Sequence, residues 1–281
     1  MNYGLGSKVT PIRPNFERPP LVEQAISIVF QPIAGFRIVD YGLFWTDLSA
    51  EFPDVATEAP LEAPIEQFDE FRPVELLFQF LPSPPMPRAM FRNPKNGELI
   101  QVQNDRFGFN WAKVGDAPYP RSEPLMARFK ELFGRFVTFA KHQGLGDVTL
   151  KQCELTNLNV IPVSDFGRTY SDLSTALRVD PLDLGLPYLQ SEVFERSRQH
   201  KIIGNDGAPV GRLHMVVAPV VSNVDKSQAI RFELTARSAP DIRSLDDASK
   251  FFEVARNAIN GAFDASITDA MRIKWGEKHV N

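Results

Sequence analysis

The hydrophobic pattern organises the chain around residues 98 to 143. In ELIQVQNDRFGFNW, Leu99, Ile100 and Val102 lead into Asn104-Asp105, and Phe107, Phe109 and Trp111 follow at every second position. A period of two puts these three aromatics on one face of a strand. Asn and Asp tolerate the positive φ that tight reversals often need, so the stretch predicts a hairpin with a two-residue turn. In SEPLMARFKELFGRFVTFAKHQG the period changes, and Leu125, Phe129, Leu132, Phe133, Phe136 and Ala140 fall on one helical stripe. Ser122 is the expected N-cap, Glu123 suits the positive end of the helix dipole, and Gly144 sits where a left-handed C-terminal residue belongs. An aromatic strand face followed at once by an aromatic helix stripe predicts that one packs on the other.

The same reading extends along the chain. Residues 1–20 carry four prolines and no apolar period, which predicts an extended arm. Leu21 to Phe30 reads as a strand covered on both sides. Phe36 to Phe52 reads as a helix with a ragged stripe of Ile38, Leu43, Trp45, Leu48 and Phe52. Gly42 weakens that helix by about 1 kcal/mol relative to alanine, and Pro53 stops it. Residues 53–87 hold eight prolines and predict a connector with one strand, Val74 to Phe80. Arg88 to Arg92 and Val148 to Val163 read as strands, and a short helix falls around Tyr170 to Leu177. Glu192 to Ile203, Gly211 to Val221 and Gln228 to Arg237 read as three more strands, with a turn at Asn205-Asp206-Gly207. Ser244 caps the last long helix, with Asp246 and Asp247 in its first turn and a stripe of Ala248, Phe252, Ala255, Ile259 and Ala262. A terminal helix starts after Ser266, with Asp269 completing a capping box and Met271 and Trp275 docking it.

This order predicts an α+β fold: antiparallel sheets, each packed by a long helix, in two similarly built halves of plan β-α-β(n)-α. The expected division is an arm at 1–20, a first half at 21–144 and a second at 145–281, or one continuous domain; one sheet and two sheets both remain open. Glu154-Leu155-Thr156 and Glu233-Leu234-Thr235 echo each other, but they fall at different places in the plan, and chance explains the echo better. If the triplets are sheet neighbours, they bring carboxylates and hydroxyls side by side.

Composition narrows the function classes. Hydrophobic residues make up 43% of 281, enough for a real core, and the formal net charge of −4 points to neither nucleic acid nor an anionic membrane. The 22 phenylalanines against five tyrosines favour bulky packing. Uncharged runs such as Leu213 to Val224 are too short to span a bilayer, and the N-terminus lacks the apolar core of a secretion signal. The single cysteine, Cys153, excludes an intrachain disulfide and every multi-cysteine metal site, so a reducing cytoplasmic setting is the simplest reading.

Several stretches occur in an order that resembles a known family: PPLVEQAISIVF, GLFW, ELIQVQNDRFGFNW, Tyr119 to Arg121, QCELTNLNVI, Gly211 to His214, ELTAR and AFDASITDAMRIKWG. Together they cover about Pro19 to Gly276. The pattern resembles a sporadically distributed prokaryotic family of uncharacterised proteins of similar length. The resemblance implies a single architecture and a bacterial or archaeal origin. It carries no activity, cofactor or catalytic residue with it. Scattered distribution is common among mobile or defence-associated genes.

Motif by motif, catalysis finds little support. His142, His200, His214 and His279 are isolated, with no HxH or HxxxH spacing for a metal. Cys153 falls mid-strand, away from the helix N-terminus or histidine that would activate it. GxSxG, GxxxxGK[ST] and GxGxxG are absent, and GLGSK at 4–8 has no preceding strand. The interesting polar set is Gln101, Gln103, Asn104, Asp105, Arg106 and Asn110 on the hairpin, with Gln152, Glu154, Thr156, Asn157 and Asn159 on the following strand. Arg106 and Arg121 could clamp an anion, or could equally make structural ion pairs.

The preferred reading is a non-enzymatic binding or interaction protein without cofactor or metal, holding a protein partner through a sheet face or the proline-rich connector. An antitoxin-like or defence-associated role is one version. The alternative is a small-ligand-binding or enzymatic domain with a pocket between sheet and helix, lined by Arg106, Asn110, Glu154, Thr156 and Arg237. Nucleic acid and membrane are disfavoured as partners. A homodimer through a sheet edge stays open, with no heptad to support it.

Overall fold

A computed structural model describes residues 15–62, 65–68, 85–115, 117–179 and 192–278. The expected strand at Val74 to Phe80 lies outside these residues, as do Gly4 to Lys8 and His279. Among these residues the fold is α+β, with nine antiparallel strands in one sheet, in the order β2 (Asp54–Glu58), β3 (Arg88–Asn93), β4 (Glu98–Val102), β5 (Arg106–Ala112), β1 (Leu21–Phe30), β6 (Leu150–Pro162), β9 (Gln228–Ser238), β8 (Pro209–Val221), β7 (Arg196–Ile203). The chain clusters into two compact units that interleave in sequence. One takes Glu23–Leu155 with Arg237–Phe252; the other takes Met1–Val22, Thr156–Ala236 and Glu253–Asn281.

In the first unit, β1 (Leu21–Phe30, whose first two residues belong to the other unit) pairs with β5 (Arg106–Ala112), which pairs with β4 (Glu98–Val102), β3 (Arg88–Asn93) and β2 (Asp54–Glu58) in turn. The central hairpin forms as expected: Gln103 N donates to Arg106 O at 2.8 Å across Asn104-Asp105. Its turn differs in one respect. Among the described residues the non-glycines at positive φ are Arg121 and Lys226, so Asn104 and Asp105 reverse the chain with negative φ. Helix α2 (Ser122–His142) follows, and its whole predicted stripe is buried. Phe107 of β5 meets Phe133 and Phe136 at ring distances of 5.5 and 5.4 Å. At the C-terminus Gly144 has φ +69, and Leu145 N and Gly144 N close on Ala140 O and Lys141 O, the hydrogen bonds of a left-handed helix stop. At the N-terminus Arg121, not Ser122, is the cap residue; Ser122 is the first helical residue, and its Oγ is 2.8 Å from the Tyr119 hydroxyl.

Two local expectations change here. Helix α1 is shorter than the pattern suggests, Ile38–Thr46, and it buries Asp40, Tyr41 and Phe44 while Ile38, Val39 and Leu43 are exposed. Phe44 sets that orientation by packing against Phe91, Phe136 and Phe139. Strand β2 runs inside the stretch read as a connector, directly after Pro53. Its pairing with β3 outweighs the proline density around it.

In the second unit, β8 (Pro209–Val221) pairs antiparallel with β7 (Arg196–Ile203), and β9 (Gln228–Ser238) follows β8 in the sheet. Strand β6 (Leu150–Pro162), β9 and helix α4 (Leu245–Ser266) each run through both units. Ser244 does cap α4: its Oγ accepts from Asp247 N at 3.1 Å. A 3-10 turn (Tyr170–Thr175) stands where a short helix was expected, and a one-turn helix, α3 (Val163–Phe166), precedes it. The terminal helix α5 (Asp269–Trp275) is capped by Thr268 instead of Ser266, which ends α4. Met271 and Trp275 are buried as predicted, and Phe16 packs edge-on against Trp275 and Phe263. The end of the N-terminal arm is therefore tied down, with Glu17 N donating to Gly276 O.

Candidate functional site

Alternation along β5 decides where the polar set goes. Phe107, Phe109 and Trp111 take one face, so Arg106, Gly108 and Asn110 take the other. All six are buried. The space beneath α2 is filled by phenylalanine, and the expected polar lining lies on the opposite face of the sheet. The location of the pocket read from the sequence is corrected by that parity.

On this polar face two hydrogen-bonded groups form within one unit. The first crosses five strands with one residue from each. Arg88 of β3 donates to Glu58 of β2 at 3.0 Å and to Gln101 of β4 at 2.6 Å. Gln101 donates to Asn110 of β5 at 2.8 Å. Asn110 in turn donates to Glu23 of β1.

The second group holds a segment against the sheet. Gln103 accepts from Leu61 N at 2.8 Å and donates to Leu61 O at 3.1 Å, so its amide imitates a strand partner. Gln152 accepts from Glu66 N at 2.9 Å, and Arg106 donates to Glu62 O at 3.4 Å. Beneath this strap Glu154 Oε1 lies 3.6 Å from Arg106, and its Oε2 accepts from Arg237. Arg237 also reaches Glu66 at 3.8 Å. Burial, with Arg237 and Arg88 nearby, holds the Arg106 guanidinium below its usual range, against the pull of Glu154 and Asp105.

Four of the five predicted residues therefore stand in these two groups: Arg106, Glu154 and Arg237 in one, Asn110 in the other. Thr156 belongs to the second unit, where its hydroxyl is 2.9 Å from that of Thr235. The echoed triplets do lie on neighbouring strands, β6 and β9, and their threonine hydroxyls meet. Arg121 is the α2 cap residue. The sequence reading missed Glu23, Glu58, Glu66 and Arg88. Arg88 carried a usable signal, as a cation opening a predicted strand; Glu66 sat among prolines with none.

As chemistry, this face offers charge compensation. Both Glu154 oxygens face guanidiniums, and the strap's backbone is matched to side-chain amides. Among the described residues Arg106 Nε, Arg88 Nε and Ser27 Oγ are the exceptions on this face, buried polar atoms with no hydrogen-bond partner. Cys153, fully buried beside Ser238, has its thiol pushed far up by burial, which leaves no thiolate to attack a substrate. Two clefts open elsewhere in this unit. One of about 460 Å³ lies between Phe44 on α1, the α1 C-cap residue Asp47, and Gly134, Thr138 and His142 on α2; one of about 390 Å³ has Lys151, Asp241 and Arg243 in its wall. Neither is lined by a predicted site residue. Among the described residues no group of His, Cys, Asp or Glu could hold a metal ion, and no helix is long and apolar enough to cross a membrane.

A different surface stands out in the second unit. Strand β7 ends the sheet order, and six of its eight residues are exposed. Among the described residues no strand pairs with its outer side.

These features define an α+β protein with helices packed on an antiparallel sheet, a polar face of paired side chains and, at the two ends of the described sheet, the exposed edge strands β2 and β7. No protein-family model, no curated protein and no solved structure matches the chain.

Proposed function

We propose that this chain is a non-enzymatic binding protein that holds a protein partner. The observation that carries the reading is β7, an exposed terminal strand paired on one side by a longer strand. A sheet edge offers backbone N–H and C=O groups that an extended segment can complete. An antitoxin-like or defence-associated role is one version of this reading. The repeated order of strand, helix, strands and long helix supports two similarly built halves; superposing residues 21–144 on 145–281 checks that.

The test is recovery of the untagged protein from its host, with a photo-crosslinking amino acid at position 199 and, as a control, at 131 on α2. A stoichiometric polypeptide crosslinked from 199 alone supports the reading. Repeated recovery of the chain alone overturns it.

One observation favours a second reading, a small-ligand-binding domain: Arg106 Nε is buried on the strapped face without an acceptor among the described residues. Native mass spectrometry separates the two. A mass of the chain plus a small molecule, lost in Arg106→Lys, selects the ligand reading over the partner reading.

A further inference from the structure

We propose that the outer edge of β7 takes an acidic, extended polypeptide segment of the partner as an added strand. The inference rests on the binding-protein reading above and adds the site's chemistry.

Charge is segregated in this protein. Residues 196–221, the β7–β8 hairpin, hold Arg196, Arg198, Lys201 and Arg212 against Asp206 alone, a net of +3 in a chain of net −4, which leaves −7 for the rest. Asp206 is committed to the turn, accepting from Ala208 N at 3.1 Å. The two strands themselves contain no carboxylate.

Register places the cations on both faces of the edge. Arg196, Arg198 and His200 stand opposite Val217, Met215 and Leu213, on the face where Leu213 and Val217 are buried. Lys201 stands opposite Arg212 on the other face. A strand laid along β7 therefore meets Arg196 and Arg198 on one side of its pleat, and acidic residues in that row are favoured.

Three of the four hairpin cations are arginines, whose planar fork can grip carboxylates bidentately. A second copy of this chain is a poor occupant, because edge-to-edge pairing would bring like charges together. Nucleic acid fits less well too: residues 196–221 contain no Phe, Tyr or Trp on which a base could stack, and phosphate cannot complete a row of strand carbonyls. Charges on an edge strand also keep sheets from aggregating, and a purely protective role predicts no saturable peptide binding.

The experiment is fluorescence anisotropy of the full-length protein with labelled peptides of about ten residues, enough to span one strand. One alternates valine with glutamate and aspartate. A second keeps its charge but carries proline at every other apolar position, and a third replaces each acid by its amide. A single-stranded oligonucleotide is the fourth probe. The expected result is saturable binding of the first peptide, about tenfold weaker binding of the second and third, and a similar loss in R196E/R198E with an unchanged thermal melt. R198Q, which removes charge without reversing it, gives a smaller loss if the double variant folds poorly. Slowed amide exchange across Arg196–Ile203 with the first peptide alone supports strand addition.

Equal binding of the proline peptide, tightest binding of the oligonucleotide, binding undiminished in both charge variants, or no saturable binding overturns the proposal. If the peptides fail while the host partner still crosslinks from position 199, the acidic-edge inference falls alone. If the crosslink fails as well, the binding-protein reading falls with it.

Discussion

The two faces of β5 are built from alternate residues of one strand, both are buried, and they are held by different physics. On one, Phe107 sits among Phe129, Phe133 and Phe136, where stability scales with the apolar area removed from water. On the other, Arg106 and Asn110 sit among carboxylates and amides, where each contact offsets the cost of dehydrating its own members. The aromatic face should lose stability by degrees as volume is removed. The polar face should fail when one partner goes and survive when both go.

The sharpest test of that contrast is Phe136→Ala. The Phe136 ring meets five other rings, those of Phe30, Phe36, Phe44, Phe107 and Phe133. Its removal should cost about 3–5 kcal/mol in a urea unfolding series. Glu154→Ala comes next, at roughly 3 kcal/mol, because it leaves Arg106 and Arg237 without a shared carboxylate. Arg106→Met with Glu154→Leu should recover most of that loss. If the double variant is as weak as the single, the two faces do not differ in kind.

The smallest effect belongs to an exposed network on α2. Hydrogen bonds from Arg135 and Arg128 hold the Glu51 carboxyl below its ordinary value of 4.5. A depressed carboxylate stabilises the fold above its unfolded value, and that contribution disappears as pH falls through the folded value. Glu51→Gln should therefore lower stability slightly at pH 7 and flatten the acid limb of a stability–pH curve, with little else changed because the pair is solvent-screened. A variant curve parallel to wild type throughout acid would remove Glu51 from the account.

Much of this was legible in the sequence, for a definite reason. Phe107, Phe109 and Trp111 share a face because of a period of two, and the α2 stripe follows from a period near four, so both are local facts. The same parity already puts Arg106 and Asn110 across the sheet from the aromatics. Placing them beneath the helix overlooked it. What local pattern cannot supply is which distant strands meet. Glu154 and Arg237 are 83 positions apart, and Glu66 reaches Gln152 across 86. The caps erred for a smaller reason, since Ser122 and Ser266 resemble caps in composition while Arg121 and Thr268 hold the geometry.

The row Glu58, Arg88, Gln101, Asn110 and Glu23 has a consequence for how the strands find their alignment. Slipping a strand by one residue turns its phenylalanines to the wrong side, and burial alone forbids that. Slipping by two keeps every apolar residue on its proper side, and burial is blind to the error. The row is not, since one polar residue per strand meets its neighbour in a single alignment only. Replacing its centre, Gln101→Leu with Asn110→Leu, should leave a folded sheet whose β4 and β5 amides give doubled NMR resonances; a single set would show that alignment is fixed elsewhere.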